Sequence, residues 1–593
     1  IIPGILEEDL HLFMEKKKKF RKDTKKLEKK EECKKGKKSI KDIEVNINVN
    51  FTVLAVVLIA IFCIAITPVT FQNDTFYTIK IGELIKSSGI DMMDHFSWHE
   101  NLSYTYPHWL YDFITYLVYS VMNFKGIYLL TCALSVILGV SLFLVNSKLT
   151  KNKSISFVVT VAVLYAMQSY IAARAQLVTF ILFVWEIYFI EKFLENKKFG
   201  YAIGLVLISL LIANLHVAVW PFIFVLFLPY IAEYFIAVIA DRIIYKKSKV
   251  RTLKFKIKRL SKKDDNEEKV QELNKKLQEL ESKISKIKIK REEDNKNPYK
   301  IKIKRNENVK WLILVMVICV LMGFITPLKD TPFTYLYKTM QGNTTQNISE
   351  HLPMTLINNT NAMCALVLVL AILIFTKAKI RLSDLFMVGG LCYLMLSTRR
   401  QFSMFVLIGS IVLTRLIVDM INRYTKDGMK QAESVVKNIG VAISLTVLML
   451  LWSYYYIKPK LDDQYVDSSS YPVAACDYIL ENIDLENAKF YNEYNYGSYM
   501  LFRGIPVFID SRADLYAPEF SGNKDEDIFS DFINTSSIGV FYEDTFKKYD
   551  ITHIICNKSS KMNMIITKTN DTRYKELYSD DHFVIYERLN VNE

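Results

Sequence analysis

The chain has 593 residues, of which 51% are hydrophobic, and it carries 76 Lys and Arg against 62 Asp and Glu, a net charge of +14. This composition excludes a soluble multidomain protein and indicates membrane spans that alternate with charged loops. The positive charge does not indicate nucleic-acid binding, because the basic residues lie beside apolar segments, where retention on the cytoplasmic side explains them.

The eight cysteines indicate neither a zinc site nor a disulfide framework, because they are scattered and most lie inside apolar runs. Cys476 and Cys556 follow the last apolar run, so these two can meet outside the cell. Their spacing leaves open whether they pair.

Residues 1–49 form a lysine-rich tail that lacks the apolar periodicity of a folded core. The positive-inside rule places this tail in the cytoplasm, where it is a charged, solvated segment. It is too long and too far from an apolar segment to be a signal peptide, so we expect the first span to be retained.

Apolar segments follow, each near the length of about 20 residues that a helix needs to cross the hydrocarbon core. Basic connections such as 147–153 belong on the side of the N-terminus. A span at 109–124 would move that connection to the outside, so we interpret this aromatic segment as re-entrant or interfacial. The spans are predicted at about 51–68, 126–146, 154–172, 176–193, 200–215, 219–241, 310–328, 362–377, 382–397, 402–420 and 437–457.

The spans are interrupted by a basic insert and end before a polar domain. In the insert, apolar residues recur between 270 and 287 at alternating steps of three and four, which predicts a cytoplasmic helical hairpin or an element for self-association. After the last span, short apolar runs at 505–509 and 551–556 alternate with helical stretches, which predicts a small α/β domain. The odd number of spans places this domain outside the cell.

The predicted fold is therefore an α-helical polytopic protein of the cell membrane, with about 11 to 13 spans, a cytoplasmic N-terminus and a small extracytoplasmic α/β domain. The predicted regions are the tail 1–49, an N-terminal membrane module 50–242 with its first outer loop at 69–108, the insert 243–308, the second set of spans 309–457 with an outer loop at 329–360, and the domain 458–593.

Ionisable residues gather at the outer ends of the spans. Because such residues are costly at membrane depth, they mark a water-filled cavity or a functional site. They are Asp74 after the first span, Arg174, His216, Glu350 and His351 in the loop 329–360, Arg399 and Arg400.

Asp74 has two compatible interpretations. It is well placed to be the N-cap of an interfacial helix that ends at Gly89. A carboxylate at this position also suits the general base that a hydroxyl acceptor needs.

Each of the arginines, taken alone, is explained as a residue at a span end whose side chain extends to the lipid headgroups. Three of them on the outer side are disfavoured by the positive-inside rule, which indicates a site for a lipid-linked phosphate or diphosphate. His216, taken alone, is best explained as a buried, hydrogen-bonded histidine.

Two further clusters have a structural and a functional interpretation. Asp91 and Asp94 lie near two histidines, but their spacing is unspecific, so a flexible polar loop is preferred to a metal site. Asp510 and Arg512 follow the apolar run at 505–509. They either line a ligand site at the carboxyl end of a strand or form a structural ion pair.

The sequence resembles the GT-C superfamily of polytopic glycosyltransferases, which contains protein O-mannosyltransferases, oligosaccharyltransferase catalytic subunits and aminoarabinose transferases. The likeness covers most of residues 50–590 except the insert, and the outer-domain segments 496–499 and 508–514 look like those of a bacterial branch with this layout. It rests on Asp74, Phe96-Ser97-Trp98, Pro107-His108-Trp109-Leu110, Arg174-Ala175-Gln176-Leu177 and Asn214-Leu215-His216.

The resemblance implies transfer of a sugar from a polyprenyl-phosphate carrier to a glycan, lipid or protein acceptor at the outer face, usually with inversion. Asp74 would be the general base or the carboxylate that orients the acceptor, and Arg174 with Arg399 or Arg400 would neutralise the leaving phosphate. The substrate-binding set would also contain His108, Trp109, His216, Glu350, Asp510 and Arg512. The acidic pair of the family is missing from the first loop, so a required divalent metal is not favoured and no cofactor is expected.

Two other function classes stay open. One is a transporter or flippase for a lipid-linked saccharide, which would need ionisable residues near the middle of the spans. The other is a non-catalytic assembly protein that uses the hairpin and the outer domain as docking surfaces.

Overall fold

The computed structural model of the protein describes residues 50–244, 247–261, 267–292, 299–425, 427–523 and 526–589. The tail predicted at 1–49 therefore lies outside the described residues. The described part is a bundle of apolar helices with an α/β domain packed against one end. We call that end of the bundle the domain end and the opposite one the far end.

The helices before the α/β domain are those of the apolar segments, which form the bundle, and the polar helices of the loops and of the insert. In chain order they are α1 (Phe51–Ile66), α2 (Asn73–Ser88), α3 (Trp109–Thr150), α4 (Lys153–Ala166), α5 (Ala175–Asn196), α6 (Phe199–Leu215), α7 (Trp220–Ile244), α8 (Lys247–Leu260), α9 (Glu267–Glu292), α10 (Val309–Met322), α11 (Thr331–Gln341), α12 (Thr344–Asn347), α13 (Thr360–Phe375), α14 (Leu382–Ser397), α15 (Phe402–Tyr424), α16 (Gly428–Val435) and α17 (Ile439–Ile457).

Every predicted span coincides with one of these helices, and the prediction of an α-helical polytopic membrane protein is confirmed. Among the described residues, the helical stretches of α3, α7, α15 and α17 are long and apolar enough to cross a membrane by length and composition. Shorter apolar helices, such as α1 and α14, complete the bundle.

Helix α3 is bent at Asn123, where the backbone has φ 50° and ψ −149°. The segment before Asn123 packs closely along α2, and the segment after it contains the span predicted at 126–146. Gly82 of α2 makes this approach possible, because a Cβ there would lie 2.2 Å from the carbonyl oxygen of Asp112. The aromatic segment 109–124 is thus a helix in its own direction.

The insert contains the helices α8 and α9, which pack against each other, as the hydrophobic pattern predicts. Lys254 of α8 and Glu281 of α9 form an ion pair of 2.8 Å. The insert returns to the bundle at the strand β1 (Ile301–Lys302), which pairs in parallel with β2 (Ile380–Arg381).

The C-terminal domain is a four-stranded mixed sheet with helices around it, so the predicted small α/β domain is confirmed. The strand order is β3-β4-β6-β5, with β3 and β4 parallel and the other pairs antiparallel. Its elements are α18 (Val473–Asn482), β3 (Phe490–Tyr491), α19 (Tyr494–Phe502), α20 (Pro518–Ser521), α21 (Ile528–Ser537), α22 (Tyr542–Lys548), β4 (His553–Asn557), α23 (Lys561–Thr569), β5 (Tyr574–Ser579) and β6 (Phe583–Arg588).

The apolar run 505–509 is not a strand of this sheet, contrary to the prediction. Its backbone finds other partners, since Val507 bridges to Ser97 of the first loop and the Asn492 side chain accepts from Phe508 N. Buried apolar residues favour a strand in a sequence, but here the first loop and one side chain satisfy the backbone. The run at 551–556 does fall largely on β4.

The domain and the first loop share one hydrophobic core. Phe76 of α2 is fully buried and contacts Tyr471 and Tyr499 of the domain edge to face. Cys476 and Cys556 are buried in the same core as free thiols, so they do not form a disulfide in this structure.

Candidate active site

A cavity of about 380 Å³ lies at the domain end, between the helix ends and the α/β domain. Elements far apart in the chain form its walls, including α2, the start of α5, the turn between α6 and α7, the loop before α13 and the segment 511–515. Of the residues predicted from the sequence, those that line the cavity are Asp74, His108, Arg174, His216, Glu350, His351, Arg400 and Arg512.

Asp74 lies in the first turn of α2, where it faces Arg174. Its Oδ2 is 2.6 Å from Arg174 Nη2, and its side chain is 22% exposed. The N-cap of α2 is Gln72, so the prediction that Asp74 caps this helix is wrong, whereas the predicted end at Gly89 is confirmed. The carboxylate is turned into the cavity and held by a guanidinium.

Arg174 connects two carboxylates. Besides Asp74, it contacts Glu350 of the loop before α13, with 3.5 Å between Nη1 and Oε1. It is the N-cap residue of α5, so its backbone is fixed by that helix while its side chain reaches into the cavity. A planar guanidinium has donors on both sides, which suits it to this bridging position.

Arg400 lines the cavity without a carboxylate partner among the described residues. It lies in the short turn between α14 and α15, next to two histidines of the cavity wall, His216 and His351. Burial lowers the pKa of both rings, and the charge of Arg400 lowers the pKa of each further. Arg400 is therefore the cation that is available to an anionic ligand.

His216 is 5% exposed and ends α6. Its backbone N–H donates to Ile212 O, but its Nδ1 is buried without a hydrogen-bond partner within the described part of the chain. The simplest interpretation of the sequence was a histidine with all its hydrogen bonds made, and His216 does not meet it. An unpaired ring nitrogen at a cavity wall is a point at which a ligand can bind.

His108 is held by two side chains that the sequence analysis did not single out. Its Nδ1 is 2.6 Å from Oδ1 of Asp112, and its Nε2 is 3.0 Å from the Tyr77 hydroxyl. Asp112 is completely buried. The i, i+4 spacing of His108 and Asp112 is the sequence signal for this pair, because such residues lie on one face of a helix.

Three of the predicted residues do not reach the cavity. The Trp109 indole N–H donates to Asn214 Oδ1 at 3.2 Å, which ties α3 to α6. Arg399 does not line the cavity, and its Nε donates to Pro353 O at 3.4 Å. Asp510 is completely buried beneath the cavity wall.

Asp510 and Arg512 form the structural ion pair that was one of their two interpretations, and a third residue joins them. Arg512 Nη2 is 2.7 Å from Asp510 Oδ2, and its Nη1 is 2.6 Å from Oδ1 of Asp94 in the first loop. The Asp94 side chain is 1% exposed, so this part of the loop is not the flexible polar segment that we expected. Arg512 thus fastens the first loop to the domain.

The domain supplies one more carboxylate to the cavity, Asp514, which ends the segment 508–514 but was not predicted as a site residue. Asp514 accepts hydrogen bonds from the hydroxyls of Tyr335 in α11 and Thr344 in α12. Asp514 and Tyr335 both line the cavity.

The residues of this site do not fit a resident divalent metal. Among the described residues, no group of three or more His, Cys, Asp and Glu side chains is arranged to hold an ion. The two carboxylates that approach each other, Asp74 and Glu350, have the Arg174 guanidinium between them. A cation there would meet a fixed positive charge.

No protein-family model matches the sequence, and a search of curated proteins finds no relative. Among solved structures, the oligosaccharyltransferase of Archaeoglobus fulgidus in its apo form is similar, with a TM-score of 0.51 at 11% identity over 92% of this chain and 75% of that one. ArnT from Cupriavidus metallidurans bound to undecaprenyl phosphate has a TM-score of 0.46 at 9% identity over 90% of this chain and 97% of that one.

The likeness to the oligosaccharyltransferase covers most of both chains, so this protein shares the fold of that enzyme. At such low identity, the likeness establishes the fold alone.

Proposed function

We propose that this protein is an integral membrane glycosyltransferase that moves a sugar from a polyprenyl-phosphate carrier to an acceptor hydroxyl at the domain end. The observation that carries the proposal is the convergence of Asp74, Arg174 and Arg400, from three distant parts of the chain, on one cavity. A carboxylate and guanidinium groups are what this reaction needs, a base for the acceptor and cations for the leaving phosphate.

In the proposed reaction, the acceptor oxygen attacks the anomeric carbon of the sugar. The bond from that carbon to the phosphate oxygen breaks, and its electron pair leaves with the polyprenyl phosphate. Asp74 binds the acceptor hydroxyl and draws its proton, while Arg400 binds the phosphate as its charge grows. A single displacement of this kind inverts the anomeric centre.

Arg174 has a supporting role in this scheme. Its ion pair with Asp74 fixes the carboxylate in the cavity. Because the same guanidinium separates Asp74 from Glu350, we propose that the enzyme works without a divalent metal. The remaining wall, with Asp514 and Ser511 of the domain, is proposed to bind the acceptor.

The proposed orientation follows from the charged connections of the bundle. Lys148 and Lys151 lie at the far end with Lys192 and Arg381, where they line a second cavity. The positive-inside rule then assigns the far end to the cytoplasm and the active-site cavity with its domain to the outer face.

A transporter for a lipid-linked saccharide is the second candidate, and one residue favours it. Glu186, halfway along α5, is completely buried, and neither carboxylate oxygen has a hydrogen-bond partner among the described residues. Ionisable residues inside a bundle often belong to a transport path. Glu186→Gln should leave sugar transfer intact if the protein is an enzyme and should abolish saccharide translocation if it is a transporter.

The enzyme proposal is tested with the full chain in lipid nanodiscs and a radiolabelled polyprenyl-phosphate mannose, glucose or arabinose. We expect release of polyprenyl phosphate from at least one donor. Asp74→Asn should abolish it, while Arg400→Gln should mainly raise KM for the donor, by about tenfold or more because a charge-assisted hydrogen bond to phosphate is lost.

Arg399→Gln is the matched control, since it removes the adjacent arginine whose side chain does not reach the cavity. It should keep near-normal KM. Full activity of the Asp74→Asn variant would exclude Asp74 as the base, and equal losses from Arg399→Gln and Arg400→Gln would contradict the assigned phosphate site.

A further inference from the structure

The Asp112, His108 and Tyr77 side chains form a hydrogen-bonded row that ends at the cavity. The row begins at Asp112, which is completely buried and whose Oδ2 has no hydrogen-bond partner in the part of the chain that the structure describes. His108 is 12% exposed and lines the cavity together with Tyr77. A buried carboxylate lowers the stability of the fold unless a cation or a hydrogen-bond donor compensates it. Helix packing alone therefore does not explain the row.

The partners of the imidazole define its tautomer. The Asp112 carboxylate only accepts, so Nδ1 of His108 carries a hydrogen and donates it across 2.6 Å. In the neutral ring, Nε2 then accepts from the Tyr77 hydroxyl across 3.0 Å. This arrangement leaves Nε2 ready to take a proton from Tyr77.

Tyr77 also lies beside the carboxylate that binds the acceptor. Asp74 and Tyr77 are three residues apart on α2, so they share one face of the helix, and both line the cavity. Burial and the charge of Asp74 raise the pKa of Tyr77 well above its ordinary value. Its hydroxyl therefore stays protonated and acts as a donor toward His108.

The charged groups around His108 favour its protonated form. Burial lowers the pKa of His108, whereas the charge of the Asp112 carboxylate and its hydrogen bond raise it, and Asp74 acts in the same direction while Arg174 opposes it. The net result is a pKa above the ordinary value of histidine. His216 faces the ring at 6.2 Å and is neutral, because burial lowers its own pKa.

We propose that His108, held by Asp112, takes up the proton that the acceptor hydroxyl loses, and that the Tyr77 hydroxyl carries it there. This inference rests on the proposed glycosyl transfer. As the acceptor oxygen bonds to the anomeric carbon, its proton, drawn by Asp74, passes to the Tyr77 oxygen, and the Tyr77 proton passes to His108 Nε2. The product is an imidazolium paired with the Asp112 carboxylate, while the bond electrons leave with the phosphate.

The role of the pair follows from the contacts of the two side chains. Asp74 is held by the Arg174 guanidinium at 2.6 Å, which positions its carboxylate to orient the acceptor hydroxyl. His108 is held at 2.6 Å by the buried Asp112 carboxylate, which stabilises the protonated ring. Removal of the proton to His108 leaves Asp74 charged for the next acceptor.

The test measures the titration of His108 and the activity in the same preparations. Hydrogen–deuterium exchange at the imidazole C2 position, read by mass spectrometry on the full chain in nanodiscs, gives the pKa of each histidine. Asp112→Asn should lower the pKa of His108 by about one pH unit or more, because an opposite charge in direct contact is removed. The acid limb of the pH profile of kcat should move to lower pH by the same amount.

His108→Gln should reduce kcat on the order of 10²-fold or more, as expected for loss of a proton acceptor, with little change of KM for the donor. His95→Gln is the matched control, since His95 also pairs with an aspartate four residues away, Asp91 at 2.6 Å, but is 44% exposed and lies outside the cavity. This variant should keep the activity and the pH profile of the wild type.

The outcomes separate the two proposals. If the wild type releases no polyprenyl phosphate from any of the three donors, the proposed function falls and this role of His108 falls with it. If the wild type is active but the acid limb is the same in Asp112→Asn, or His108→Gln keeps its kcat, the proposed function stands and the proton-acceptor role is overturned.

Discussion

Arg174 is the residue on which the chemistry of the cavity depends most directly. It lies within ion-pair distance of both Asp74 and Glu350, which belong to parts of the chain more than 250 residues apart. Two carboxylates that approach each other repel unless a cation lies between them. The protein supplies that cation from its own chain.

This arrangement predicts the response to metal removal. Sugar transfer by the wild type should be unchanged in the presence of EDTA. Arg174→Gln should lower transfer strongly, because it leaves the carboxylates without their cation, and added Mn²⁺ or Mg²⁺ should restore part of the activity by occupying the vacated position. Loss of wild-type activity in EDTA, measured after dialysis into metal-free buffer, would contradict the proposed metal independence.

The residues that the sequence predicted and those that it missed differ in a physical way. Asp74, Arg174 and Arg400 could be predicted from the sequence, because a charged residue at the end of an apolar span is costly and therefore marks a functional site. Asp112 carries the same charge inside an aromatic segment, and only the packing of α2 on α3 shows that it is buried. Arg400 lines the cavity and Arg399 does not, because adjacent residues in a 3-10 turn point in directions about 120° apart.

The cavity depends on the close packing of α2 against the first segment of α3. Gly82 lies at this contact, and Asp74 and Tyr77 extend from the same helix toward the cavity. The helices themselves were predictable from apolar runs, since hydrophobic length determines where a chain can span a membrane. Their contacts were not, because many sequences satisfy the same hydrophobic pattern.

Gly82→Ala should therefore separate α2 from α3. The new Cβ would lie 2.2 Å from a backbone oxygen, which cannot move as a flexible side chain can, so we expect a loss of about 1 to 3 kcal/mol in the free energy of unfolding and a weaker contact between Tyr77 and His108. Gly200→Ala in α6 is the control, because a Cβ there meets nothing within 4 Å. Equal thermal stability of the two variants would contradict the close contact.

The two ends of the bundle have different compositions and different proposed functions. The domain end holds the cavity, the first loop and the α/β domain, joined by Arg512 and by a shared core. The far end holds basic residues and the root of the helical insert. The sequence predicted this division from composition alone, because a basic insert and a polar domain differ from apolar spans wherever they occur.

The insert should be dispensable for catalysis. Helices α8 and α9 contribute no residue to the active-site cavity, whereas β1 pairs with β2 and Lys304 N donates to Glu233 at 3.1 Å. A deletion of 250–297, closed by a short Gly/Ser linker, thus keeps the part that anchors α10. We expect unchanged kcat and KM in this variant.

Self-association is the property that this deletion should change if the insert serves it. Size-exclusion chromatography with light scattering on the wild type and the deletion, in the same detergent, measures the mass of each assembly. A deletion variant that stays folded by thermal unfolding but loses sugar transfer would contradict the proposed division of labour, because the cavity would then depend on helices that do not touch it. If the insert joins copies of the chain, the wild type should form an assembly of higher mass than the variant. The turnover per chain should be equal in the two proteins, because the cavity at the domain end does not include the insert.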